Sequence, residues 1–159
     1  MRIKRLIADG GERVSVLVDE AGMPLYDPNL FITRTVRNAN MSISYAEGYL
    51  RAIISLMAWE KDFGTDLKER FRTGEILTDL ELESLTNFMS LKQETITKIR
   101  KGVKLLPKAY KYKSSEVTYA AIGCVAEYLG YLVKTHSPDP GRFERAETLT
   151  KLIKNRRAK

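Results

Sequence analysis

Apolar and polar positions alternate with a period of two near the start of the chain. In "ERVSVLVDEAGMPLY", Val14, Val16 and Val18 interleave with Ser15 and Leu17, a β-branched run that predicts a strand. "DEAG" supplies turn chemistry, with Gly22 free to take a positive φ. "MPLY" is expected to return as a short partner strand, with Pro24 at an edge where its missing N–H harms no ladder. A lone hairpin is marginal in water, so this one must pack on another element. "DPNL" is expected to break the chain, and "LFITRTVRN" to form a helical turn.

The period then lengthens. In "SYAEGYLRAIISLMAWEKDFG", Ala46, Leu50, Ile53 and Met57 recur at three- and four-residue intervals, and Tyr49, Ile54 and Trp59 broaden the stripe. Ser44 and Glu47 have capping-box spacing, and Gly64 marks the stop. A short helix follows in "DLKERFRTG", with Asp66 as its cap and Gly74 as its end. "TDLELESLTNFM" repeats the box with Thr78 and Glu81, and its stripe is Leu82, Leu85, Phe88 and Met89. Leu91–Lys113 shows no helical period. "SSEVTYAAIGCVAEYLGYLVKTH" gives a long helix with Ile122, Val125, Leu129 and Leu132 on one face, where Gly123 and Gly130 permit close packing. "SPDPG" breaks the chain, and "RFERAETLTKLIKNRRAK" begins amphipathic and becomes a basic tail. The expected fold is mainly α, a small antiparallel helical bundle with a short N-terminal β-hairpin. Its expected divisions are a strand-containing appendage (1–38), a helical domain (39–136) and a linker helix with basic tail (137–159).

Charge adds the strongest signal. The chain carries 27 Lys/Arg and 20 Asp/Glu, a balance of +7. Leu91–Lys113 alone holds Lys92, Lys98, Arg100, Lys101, Lys104, Lys108, Lys111 and Lys113 against Glu94, also +7, so the remaining residues cancel. A basic surplus suits nucleic acid, an anionic membrane surface or an acidic partner. Solubilising surfaces usually mix both signs, and this segment does not. Cys124 is the only cysteine, which excludes an internal disulfide and points to a reducing, cytoplasmic setting; it is expected as a small core residue. No apolar run approaches the roughly 18 residues of a membrane span, and the start of the chain is no signal peptide. Glycine-rich phosphate loops, Cys/His metal spacing and Ser/His/Asp arrangements are missing from the sequence, so no metal, cofactor or small-molecule substrate is expected.

The order of these elements resembles the N-terminal half of a tyrosine recombinase (phage integrase-like). "SISYAEGYLRAIISLMAWEKDFGTDLKERF" is similar to the family's first core-binding helix, with its Ser/Thr-rich start, aromatic, spaced aliphatics and tryptophan. "GEILTDLELESLTNFM" is similar to the second-helix pattern, and "TYAAIGCVAEYLGYLV" to the last helix with its aromatic-Leu repeat. "GERVSVLVDEAGMPLYDPNLFITRTVRN" resembles the leader of one subgroup of bacterial and plasmid integrases. The likeness covers roughly residues 12–136. It implies a SAM-like core-binding domain that clamps duplex DNA, monomeric alone and assembling on DNA in the full-length protein, while a separate domain does the strand-exchange chemistry. That chemistry requires a His-x-x-Arg pair and a Tyr nucleophile. The only histidine, His136, precedes "SPD", so this chain is not expected to be an enzyme by itself. Where the family subgroup places a basic or amide side chain after the aromatic at Tyr119, this chain has Ala120 and Ala121.

The candidate DNA contacts follow. Lys98, Arg100, Lys101, Lys104, Lys108, Lys111 and Lys113 would neutralise phosphates, with Tyr110 and Tyr112 against sugar-phosphate or as pins for the loop. Ser114, Ser115, Thr118 and Tyr119 start the long helix, whose free N–H groups and partial positive charge suit a phosphate oxygen. Ser42, Ser44 and Tyr45 at the first long helix, with Arg51 two turns on, form a second candidate of that kind; Arg51 also has the spacing to pair with Glu47. Two alternatives stand beside this reading: a helical protein-interaction module meeting an acidic partner, and a small stand-alone DNA-binding regulator.

Overall fold

In the computed structural model, which describes residues 1–37 and 41–157, the chain is mainly helical with one two-stranded antiparallel sheet. Among the described residues no helix is long and apolar enough to cross a membrane. Contacts divide it into two compact units, Met1–Ile54 and Ser55–Lys159. The division falls inside the longest N-terminal helix, so the start of that helix belongs with the hairpin.

In the first unit, β1 (Arg2–Ile7) pairs with β2 (Arg13–Val18) in a register running from Arg2 opposite Val18 to Ile7 opposite Arg13. The partner of β2 is thus the upstream segment, not "MPLY", which supplies only a single bridge from Pro24 to Val18. Hydrogen bonding explains the correction. The Asp19 carboxylate accepts the Ala21 and Met23 N–H groups at 2.9 Å each, curling the chain tightly. The Asn29 amide then occupies the free edge of β2, accepting from Leu17 N–H and donating to Leu17 C=O, both at 2.9 Å. A side chain takes the place of a third strand. Asn29 lies in α1 (Tyr26–Phe31), so "DPNL" starts a helix and does not break the chain. Pro28 falls in its first turn, where no intrahelical bond needs its N–H. A π-helical segment, Ile32–Arg37, continues it; Asn38, the end of the stretch expected as a helical turn, lies outside the described residues. The buried β2 side chains are Ser15, Leu17 and Val18, whereas Val14 and Val16 are half-buried.

Helix α2 (Ile43–Phe63) does not use the expected capping box. The Ser42 hydroxyl accepts the Tyr45 N–H at 3.2 Å, and Glu47 turns away to receive both Arg5 Nε and Nη2 at 3.0 Å. That hydrogen bond holds the Glu47 carboxyl below the usual carboxylate range against the opposing effect of burial. It also ties strand to helix, the packing partner that the hairpin needs.

The second unit contains the rest of α2 with α3 (Leu67–Arg72), α4 (Asp79–Met89), α5 (Gln93–Arg100), α6 (Ser115–His136) and α7 (Arg142–Arg156). Gly64 and Gly74 end α2 and α3 at φ of 84° and 85°, a conformation that costs other residues a Cβ clash. Asp66 caps α3, and Thr78 with Glu81 forms the expected capping box at α4. Trp59 is buried and its Nε1 donates to Ser84 Oγ at 3.1 Å. Leu82, Leu85, Val125, Leu129, Leu149 and Ile153 are all buried. Helices α6 and α7 run antiparallel, and a Cβ on Gly130 would meet Thr150 Oγ1 at 2.6 Å. The segment expected as a linker helix is therefore packed along α6 through Ala146, Leu149 and Ile153. Cys124 is half-buried, and burial raises its thiol to about 11, so the thiolate is suppressed.

Candidate nucleic-acid interface

The basic segment is not irregular throughout. Its first part is α5, where Ile96 and Thr95 are buried and Ile99 half-buried on one face. Leu91–Tyr112 is a closed excursion between α4 and α6. An antiparallel bridge joins Leu91 to Tyr112 at its base. Lys92 N–H donates to Lys111 C=O at 2.8 Å and Lys113 N–H to Ser90 C=O at 2.7 Å. Inside, Gly102 turns the chain at φ 78°, and a 3₁₀ turn, Pro107–Ala109, starts the return. Lys111 N–H, received by Thr95 Oγ1 at 3.2 Å, fixes the returning strand to α5.

The eight cations of this region are not equivalent. Lys98, Lys101, Lys104 and Lys108 are exposed and Arg100 half-exposed, and none has an ion-pair partner among the described residues. Lys111 pairs with Glu94 at 3.2 Å across the excursion. Lys113 folds inward, and burial lowers its pKa. Its Nζ reaches the Met89 carbonyl at 3.3 Å, and no carboxylate comes with it. A lysine withdrawn from water without a counter-ion is costly unless an anion arrives.

Lys113 lines a cleft of about 560 Å³ beside the start of α6. Ser115, Thr118 and Tyr119 contribute from α6, Asn87 from α4 with Ser90 just after it, and Arg156 from the end of α7 with Arg157 just after it. The Arg157 guanidinium lies 4.2 Å from the centre of the Tyr119 ring. Arg156 reaches Asp79 at 3.5 Å, and Glu83 is the acid in the lining. At the head of α6, Ser114 Oγ accepts the Val117 N–H at 3.4 Å and Ser114 C=O the Thr118 N–H at 3.0 Å. Ser115 and Glu116 N–H precede the intrahelical ladder and point out of the helix start. The arrangement can bind an anion, and the described residues hold no metal-ligand cluster.

Lys113, Ser115, Thr118 and Tyr119 thus come together, with Ser114 as the cap, while Lys98, Arg100, Lys101, Lys104 and Lys108 ride on the excursion that leads into them. Ser42, Ser44, Tyr45 and Arg51 belong to the other compact unit. There Ser42 is occupied as the helix cap, Tyr45 and Tyr49 rings lie 5.3 Å apart, and the Arg51 charge acts on Glu47. Arg156 and Arg157 were grouped with the tail by sequence, whose positions 158 and 159 lie outside the described residues. A signal was available: they stand three and four residues beyond buried Ile153, on the α7 face that meets α6.

No family model, curated protein or solved structure matches this chain.

Proposed function

We propose that the chain is a duplex-DNA-binding helical domain of tyrosine-recombinase type, gripping the phosphate backbone while strand exchange belongs to a separate domain. The observation that supports it most is the set of unpaired cations on a clamped excursion that runs directly into the open start of α6. Cations this close repel one another, and a polyanion relieves that repulsion. The excursion supplies electrostatic attraction, and the α6 start with Lys113, Arg156 and Arg157 sets position on the backbone. Lys111 is neutralised by Glu94 and adds little.

Phosphate contacts by Lys98, Arg100, Lys101, Lys104 and Lys108 would contribute about −4.5 to the slope of log affinity against log salt, at about −0.9 each. Fluorescence anisotropy on a mixed-sequence duplex measures it. Charge reversal at Lys101, Lys104 and Lys108 should weaken binding to all duplexes alike and flatten the slope by about 2.7. Affinity that ignores ionic strength would defeat the proposal.

A further inference from the structure

The tip of the excursion carries a feature that phosphate neutralisation leaves unused. Val103 and Leu106 are 48% and 77% exposed, while the neighbouring Leu105 is half-buried. Lys101 and Lys104 flank Val103, and Lys104 and Lys108 stand two residues on either side of Leu106. The tip is held on both flanks. Val103 N–H donates to Lys98 C=O at 3.0 Å, and on the return side Ala109 N–H donates to Leu106 C=O at 2.8 Å. Pro107 fixes φ immediately after Leu106. An isolated exposed leucine needs no explanation. One braced between a proline turn and a collar of unpaired ammonium groups presents an apolar edge where a polyanion would lie.

We propose that Leu106, set by the Pro107 turn and with Val103 exposed three residues before it, is a wedge that enters a base step of bound duplex and kinks it while the flanking lysines hold the phosphates. This rests on the DNA-binding reading. Apolar side chains inserted in this way partly unstack the step, and the bend brings more backbone within reach of the protein. Pyrimidine–purine steps yield most easily, so the wedge would favour TA and TG steps without reading any base edge. An anionic membrane is the competing polyanion. Interfacial binding rests on a broad apolar helix face, and here two apolar residues stand among lysines on a turn.

The test uses the whole chain and a short mixed-sequence duplex with 2-aminopurine at its TA and TG steps and a dye pair at its ends. Binding should raise 2-aminopurine fluorescence and shorten the end-to-end distance, as expected for a kink of roughly 20–90°. Leu106→Ala, whose fold is checked by circular dichroism, should lose both signals and keep the parent salt slope. If the parent chain binds with neither signal, or Leu106→Ala retains both, the wedge is wrong and the DNA-binding reading survives. If the chain binds no duplex, whether or not it adsorbs to phosphatidylserine vesicles, both fall.

Discussion

Replacing Gly130 with alanine tests the close approach of α7 to α6. An added Cβ would sit 2.6 Å from Thr150 Oγ1 and 3.7 Å from the Ala146 carbonyl. The first distance is about an ångström inside ordinary contact, so Thr150 must rotate or α7 must move. The Thr150 hydroxyl donates to Ala146 C=O at 2.9 Å and lies 3.4 Å from Ala126 C=O, bonds that rotation gives up. The one hydroxyl hydrogen shared between them counts as a single bond of about 1 kcal/mol, and with an overpacking cost of about 1 kcal/mol the loss is about 2 kcal/mol. Alanine returns up to about 1 kcal/mol of helix propensity, leaving a net destabilisation of about 1 kcal/mol. That corresponds to a fall of about 2–4 °C in Tm for a chain of this size. Gly123→Ala is the internal control. Its Cβ meets only the Arg157 guanidinium, at 2.9 Å, the far end of a flexible side chain that swings aside cheaply. Gly123→Ala should therefore raise Tm slightly and weaken DNA binding, because the displaced guanidinium leaves the Tyr119 ring. Thermal melts of both variants, and of Gly130→Ala with Thr150→Ala, decide the matter: the double variant should recover the loss. If Gly130→Ala stabilises as much as Gly123→Ala, the helices are not in close contact at Gly130.

Arg70→Ala removes the guanidinium that pairs with buried Glu81 and donates to Ile76 C=O at 2.9 Å. It should cost about 2 kcal/mol in urea denaturation, less than a fully buried pair because Arg70 still reaches water; a change under about 0.5 kcal/mol would contradict the packing. Asp139 is held at about 2 by its hydrogen bonds from Arg145. A depressed carboxylate stabilises the fold above its unfolded value, and this is lost as pH falls through the folded one. The parent should therefore exceed Asp139→Asn in Tm at neutral pH, with the gap closing between about pH 4 and about pH 2. A gap that persists at the acid end would assign the difference to something other than this titration.

The helices were legible wherever an apolar stripe ran for two turns or more. Leu82 to Met89 and Ile122 to Leu132 are buried as their spacing predicts, and the glycine stops at 64 and 74 adopt the expected φ. Short range was where patterning failed. Helix α5 has two isoleucines in eight residues and a surplus of charge, so nothing local distinguishes it from a loop; burial of Ile96 and the bond from Lys111 N–H to Thr95 identify it. The hairpin partner differs from the expected one because a turn signal at Asp19–Gly22 is visible in sequence, while capture of the Leu17 edge by Asn29, twelve residues away, is not. At the interface, composition located the cations and not their fates. The pairing of Lys111 and the burial of Lys113 depend on where a folded chain returns, which charge counting does not contain.

The clasp at the base of the excursion has an evolutionary and practical consequence. Leu91 and Tyr112 meet, and the chain leaves and re-enters the bundle at nearly the same place. The turn beyond α5 is thereby free of the bundle, while α5 itself stays anchored through buried Ile96 and Thr95. Insertions between such closely spaced ends add little closure entropy, roughly 0.6 kcal/mol per doubling of length. The turn from Lys101 to Ala109 behaves as an exchangeable cassette: lengthening it, or grafting in one of different charge, would retune what the surface grips and leave α5 and the helices on either side of the excursion undisturbed.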